Sequence, residues 1–169
     1  MFEVGDAVVH PVRGAGVVTG FEELRRSGSV RRYYTIELLS QASTSLMIPV
    51  KGAETRGLRR AIPQSKLSQV WRVLYATPEK LPSDRKARYR LVEGKLKSGD
   101  VIQVTEVVRD MAWWRRLEDG FSTREKRIFQ RGMALLAGEI AATQGVGLPD
   151  AEAQVRDKLD ESPSLGAGA

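Results

Sequence analysis

The chain contains no cysteine and one histidine, His10. Without cysteine there are no disulfides and no thiolate metal sites. A single histidine with no companion ligand cannot build the common zinc geometries either. His10 follows Val8 and Val9, the setting of a structural histidine rather than a ligand or base. No apolar run approaches ~18 residues, so no membrane-spanning helix is expected. The first residues, MFEVGD, are acidic rather than basic-then-apolar, and no signal peptide is expected. Paired carboxylates in an apolar setting, a nucleophile beside a base and a cofactor loop are all lacking, so neither an enzyme nor a cofactor is expected. Gly14-Ala15-Gly16 loosely resembles a phosphate loop, but no Lys-Ser/Thr follows it and it reads as a turn. The thiol-free composition fits a reducing cytoplasm.

What is present is a basic bias. The 169 residues carry a formal net charge of +6. Residues 63–149 hold 16 basic and 10 acidic side chains, whereas residues 150–169 hold two basic and five acidic. The positive charge of the second half therefore lies before its last segment, which favours an acidic partner such as nucleic acid or an acidic protein surface. It is densest in PSDRKARYRLVEGKLK (82–97), where Arg85, Lys86, Arg88, Arg90, Lys95 and Lys97 face only Asp84 and Glu93. Tyr89 sits among them. Cations interleaved with an aromatic suit a phosphate backbone; a solvated helix face touching nothing is the other reading, and both stay open. Tyr89 likewise stands between core and nucleic-acid contact.

Up to about residue 60 the pattern is of short strands. AVVH (7–10) is β-branched, and Pro11-Val12-Arg13-Gly14 is a turn. GVVTGFEEL (16–24) resumes with Gly20 at a bulge or bend, and RRSGS (25–29) is a hairpin connection. RYYTIELL (32–39), LMIPV (46–50) and GLRRAI (57–62) complete five candidate strands, a small twisted sheet closing toward a barrel. Pro49 marks an edge or a strand end, since it cannot donate to a ladder; an exposed edge can accept another protein's strand.

From Pro63 the period becomes helical. Leu67, Val70, Val73 and Leu74 form a first stripe. Ser83 is read as the cap of the basic helix and Gly99 as its end, with Tyr89, Val92 and Leu96 on one side. Asp100 caps a third helix with Val104, Val107, Val108, Met111 and Trp114 buried and Trp113 turned partly outward. Ser122-Thr123-Arg124-Glu125 is a capping box, opening a helix with Phe129, Met133, Leu136 and Ile140 inward and Arg124, Arg127 and Arg131 in a basic stripe, Lys126 beside it. Pro149 starts a last, acidic helix. The expected architecture is α+β in two domains: a small, strongly twisted barrel (1–58), a linker (59–62), an all-α bundle (63–160) and a disordered tail (161–169).

Four ordered segments carry a resemblance: VGDAVVHPVRGAGVV (4–18), MIPVKGAETRGLR (47–59), SGDVIQVTEVVRDM (98–111) and FSTREKRIFQRGMALLAGEIA (121–141). Together they resemble the CarD/CdnL family of bacterial RNA polymerase-binding transcription regulators, over nearly the whole chain. The resemblance implies a Tudor-type first domain that docks on the polymerase β subunit by strand pairing, with Arg25, Met47, Ile48 and Pro49 at the interface. It implies a helical domain contacting promoter DNA at the upstream edge of the bubble, largely without sequence preference; Arg90 and Lys126 match basic DNA-facing positions, and Arg85, Lys86, Arg88 and Arg124 are the further candidate contacts of this chain. It further implies stabilisation of the open complex at principal-sigma promoters by a cytoplasmic, nucleoid-associated monomer. The chain departs from the family where a wedge Trp stands: aligned on Arg88-Tyr89-Arg90, it has Arg85 there and Ala87 where an Arg is common.

Overall fold

The computed structural model describes residues 1–41 and 43–163. Alternation of apolar and polar residues builds five strands: β1 (Ala7–His10), β2 (Gly14–Arg26), β3 (Ser29–Leu38), β4 (Ser45–Pro49) and the two-residue β5 (Arg59–Arg60). They form one antiparallel sheet in the order β4-β3-β2-β1-β5. Its inner face gathers Val8, Val18, Tyr34, Ile36, Leu38 and Ile48, closed over by Phe2, Ala53 and Leu58. β4 and β5 are not paired, so the Tudor-like shape is completed by side chains rather than by a closed ladder. The bulge falls beside Gly20, with Thr19 the extra residue between the Val18 and Gly20 pairings. Gly16 is needed for close approach: a Cβ there would lie 2.6 Å from the Glu37 carbonyl oxygen.

Two strand readings change. The hairpin connection is only Ser27-Gly28, whose φ of 50° and 79° suit the tight turn that matches strand twist. Arg25 is therefore a strand residue paired with Val30, not a loop residue. The fifth candidate strand, 57–62, shortens to Arg59 and Arg60, which pair with Val9 and Val8 as β5, and Ala61 donates to the Ala7 carbonyl, so 59–62 is not a free linker. They belong to the sheet because the β1 edge offers them ladder partners.

After a 3-10 turn at Gln64–Lys66 come α1 (Leu67–Tyr75), α2 (Arg85–Lys97), α3 (Val101–Leu117), α4 (Thr123–Gln144) and α5 (Leu148–Glu161). Every residue of the expected apolar stripes of α3 and α4 is buried, and Val70 and Leu74 of α1 join them in one core with Val92, Leu96, Ala151 and Val155. The cap of α2 is Asp84, which accepts from Ala87 N–H at 2.9 Å, and not Ser83; a carboxylate both accepts and complements the helix dipole better than a hydroxyl. Asp100 caps α3 and the capping box at Ser122 is complete. α5 runs to Glu161 and Ser162 is buried, so the expected tail begins later than 161; its residues 164–169 lie outside the described residues.

Candidate nucleic-acid and protein interfaces

The charge of α2 separates into layers. At ~100° per residue, Lys86, Arg90 and Lys97 fall within ~40° of one another, beside the stripe of buried Tyr89, Val92 and Leu96 and ~60–160° around the helix from it. All three are exposed and none makes an ion pair among the described residues. Lys95 differs, pointing sideways to Glu106 at 3.7 Å. Lys97 was not among the expected contacts, although its place eleven residues after Lys86, close to three full turns, makes the stripe legible. On α4, Arg124 and Lys126 are exposed. Arg124 holds Glu93 at 3.0 Å and stacks 4.3 Å over the Tyr89 ring, which ties α4 to α2. Lys126 projects ~160° from Arg124 around α4, so the two do not share one face.

Arg88 does not lie on this surface. It is 7% exposed. Its Nη1 donates to the carbonyls of Pro82 and Ser83 at 3.0 Å each, its guanidinium stacks 4.3 Å from the Trp114 ring, and its Nε stands 3.5 Å from Glu125 Oε2. The side chain pins the turn before α2 onto α3 and α4, and it is removed from the candidate contacts. Burial raises the Glu125 carboxyl's affinity for a proton, but hydrogen bonds from the Ser122 side chain and backbone, the charge of Arg88 and the Trp114 indole outweigh it, so its pKa lies below the ordinary value. Tyr89 resolves as core: its ring is buried and its hydroxyl lies 3.3 Å from Ser122 Oγ.

Arg85, standing where a wedge Trp would, is the first residue of α2 and exposed. It lines an open cleft with Arg88, Trp114, Glu118, Asp119 and Phe121. The carboxylates of Glu118 and Asp119 make that cleft less positive than the Lys86–Lys97 stripe. None of the three indoles replaces a wedge: Trp114 is the cleft's floor, and Trp71 and Trp113 pack against the helical core.

On the sheet, β4 is an edge strand and Pro49 is its last residue, so both readings of that proline hold together. Met47 is 38% exposed, with Leu46 and Pro49 partly so. Ile48 points the other way, into the core against Tyr34, and is 7% exposed; alternation along a strand puts neighbours on opposite faces, so Ile48 supports the edge without forming its surface. Arg25 lies on the β2–β3 arm, where residues 22–32 are all exposed. Met47 is level with Thr35 and Gly20, five residues from Arg25. At ~3.4 Å per residue the two are about 17 Å apart along the strands, two ends of a long face rather than one spot.

A joint between sheet and helices went unread in the sequence. Arg59 of β5 donates from Nη1 and Nη2 to the two carboxylate oxygens of Glu139 on α4, at 2.9 and 2.8 Å, and from Nε to the Gly99 carbonyl at 2.7 Å. Thr143 donates to the Ile62 carbonyl at 2.8 Å. Gly138 lets α4 approach β2, since a Cβ there would already touch that of Ala15 at 3.5 Å. Among the described residues no cluster of His, Cys, Asp and Glu is placed to hold a metal ion, and no helix is long and apolar enough to cross a membrane.

Comparison with known proteins agrees with this layout. Residues 2–62 match the family model of the CarD-like/TRCF RID domain, and residues 69–156 that of the CarD C-terminal domain. A protein of Bacillus subtilis (strain 168) named "Putative transcription factor YdeB" is 25% identical over 146 residues, covering 86% of this chain and 94% of that protein. The sheet with its free β4 edge and the helical bundle behind it are the two halves of one known architecture, and the chain belongs to the CarD family of transcription factors, with an RNA polymerase-interaction domain at its start.

Proposed function

We propose that the first domain docks on the polymerase β subunit by pairing the β4 edge with one of its strands, while the outer face of α2 and the start of α4 meet phosphates of promoter DNA upstream of the bubble. In this reading the protein modulates the stability of the open complex at principal-sigma promoters. The observation that carries it is the alignment of Lys86, Arg90 and Lys97, three cations without acidic partners among the described residues, on one solvent face. A partner supplying phosphates at regular spacing uses such a stripe without base contacts. Lys126 and Arg124 extend it to either side, and Met47 with Pro49 presents an edge whose ladder groups are free to pair. Arg25, further along the arm, adds a positive contact to the docking face.

Arg85 changes the quality of the DNA contact. An indole can lever between unstacked bases, whereas a guanidinium favours the negative potential of a narrow minor groove. The protein therefore holds DNA without forcing the bubble edge apart. A second reading, in which the bundle docks a protein instead, draws on the Glu118 and Asp119 carboxylates beside Arg85. The test is promoter opening by the cognate holoenzyme, followed with a fluorescent base in the bubble. A longer-lived open complex that shortens in Lys86→Ala/Arg90→Ala supports DNA contact. Demonstrated polymerase binding with no change in opening turns the bundle over to the protein reading. Arg85→Trp should lengthen the open-complex lifetime; an unchanged lifetime removes that position from the mechanism.

A further inference from the structure

A shallow groove runs between the sheet domain and α4, lined by Val12, Ala15, Leu39, Leu135 and Leu148, with Arg13 and Arg131 among its walls. On α4, Arg131 is ~140° around the helix from Lys126 and ~20° from Arg124, two turns earlier, so the groove lies at the far end of the Arg124, Arg127 and Arg131 stripe; its sheet side is the β1–β2 turn together with Leu39 and Ser40 after β3. No residue lining it is acidic. Arg13 and Arg131 are exposed and make no ion pair among the described residues. Arg127, one turn before Arg131, adds a third exposed cation along the approach. The turn that presents Arg13 is held in place, because His10 Nδ1 accepts from both Val12 N–H at 3.1 Å and Arg13 N–H at 3.0 Å. Val12, at the same turn, is an exposed apolar side chain at 60%.

We propose that this groove is a docking site for an acidic peptide segment, one bulky apolar side chain entering between Val12 and Leu135 while flanking carboxylates meet Arg13 and Arg131. Three features select that chemistry. The floor is apolar, which phosphates and sugars do not use. The volume is about 140 Å³, close to the ~150 Å³ that accepts a benzene-sized group. The charged residues are arginines, whose planar forks match carboxylates in pairs of hydrogen bonds. The charge complementarity is one-sided, since the groove supplies cations only. Because the walls come from both the sheet and the bundle, the site exists only while the two are joined.

The test uses the full chain and a short fluorescein-labelled peptide of Asp and Glu residues around one central Phe, with fluorescence anisotropy at fixed salt. The control peptide has Ser in place of Phe, and single-stranded oligothymidylate is the competitor. Saturable binding of the Phe peptide is expected, weaker for the Ser peptide. It should weaken about tenfold in Arg13→Ala and in Arg131→Ala, the effect of removing one charge-assisted hydrogen bond. Ala134→Trp, an exposed groove residue, should block it without removing charge, and circular dichroism confirms that each variant is folded. The proposal is overturned by absent saturable binding, by equal affinity for both peptides, or by an indifferent Ala134→Trp. Tighter binding of oligothymidylate through the same two arginines would instead make the face a nucleic-acid surface and end it as well. None of these readouts involves polymerase or duplex promoter DNA, so the outcome is independent of the function proposed above.

Discussion

Replacing Arg59 with methionine should uncouple the two domains. Glu139 is almost wholly inside, at 2% side-chain exposure, and both of its oxygens receive their hydrogen bonds from Arg59. Methionine keeps the aliphatic stem and leaves the carboxylate without those donors, and the Gly99 carbonyl loses the Nε–H that serves it. Breaking a buried ion pair from one side costs about 3–5 kcal/mol. Arg59 itself is 32% exposed, so water reaches the vacated side and the expected loss is near the lower end, about 3 kcal/mol. That is a large fraction of the ~5–15 kcal/mol that keeps a domain folded. Arg59→Met/Glu139→Leu, which removes both charges, should recover most of it, because two apolar groups in place of a buried pair are often neutral.

Urea unfolding measures this directly, and the tryptophans make it domain-specific. Trp71, Trp113 and Trp114 all lie in the bundle, so indole fluorescence follows the helices while far-ultraviolet circular dichroism follows the whole chain. Coincident transitions are expected for the unaltered protein and separated ones for Arg59→Met. If Arg59→Met unfolds within ~0.5 kcal/mol of the unaltered protein, with coincident transitions, the joint does not couple the domains and the reasoning from burial is refuted.

Three other outcomes follow from the site. Arg88→Met should destabilise the bundle by about 3 kcal/mol by stranding Glu125, while Arg90→Ala should leave stability within ~0.5 kcal/mol and weaken DNA binding; thermal denaturation beside a DNA titration separates the two roles. Lys86→Ala/Arg90→Ala should reduce the magnitude of the slope of log affinity against log salt by roughly 0.9 for each phosphate no longer neutralised, and an unchanged slope takes these residues off the phosphates. Burial, with the charge of Arg13 second, lowers the pKa of His10 below its usual value, so the fold favours neutral imidazole: stability is full above the ordinary histidine range and falls as pH drops through and below it. His10→Asn keeps an acceptor near Nδ1 without a titrating ring, and chemical denaturation at about pH 7.5 and about pH 5.5, either side of the ordinary histidine range, should show a smaller difference than in the unaltered protein.

Much of the fold was legible because period and caps agree locally. The stripes of α3 and α4 and the box at Ser122 each rest on residues within about three turns of one another, so the sequence carries the whole interaction. The short sheet was legible for the same reason, down to the bulge beside Gly20. What was not legible is long-range. The partners Arg59 and Glu139 stand 80 residues apart, and neither stands out from the other surface-type charges in the sequence. GLRRAI (57–62) was legible as a fifth strand, but the division into domains set 59–62 apart as linker; the β1 edge pairs only Arg59 and Arg60 of it. Ile48 reads as interface with its neighbours because the family segment is carried over whole, while alternation assigns it to the core.

The basic stretch around α2 shows why a charge count overstates an interface. Six cations lie between Arg85 and Lys97, yet they do four different things. Arg88 goes inside, and it can do so only because Trp114 offers a ring to stack on and Glu125 a counter-charge. Lys95 is held by Glu106, and Arg85 opens onto a cleft that Glu118 and Asp119 also line. Three remain for a phosphate backbone. Burying Arg88 is what makes those three useful: it fixes the turn at Pro82 and Ser83, which fixes the start of α2 and so the direction in which Lys86 and Arg90 project. The same arrangement commits Trp114 to the inside, beneath the residue that stands at the wedge position. With its nearest indole already employed in holding Arg88, the bundle presents charge to solvent and keeps its aromatic surface for itself.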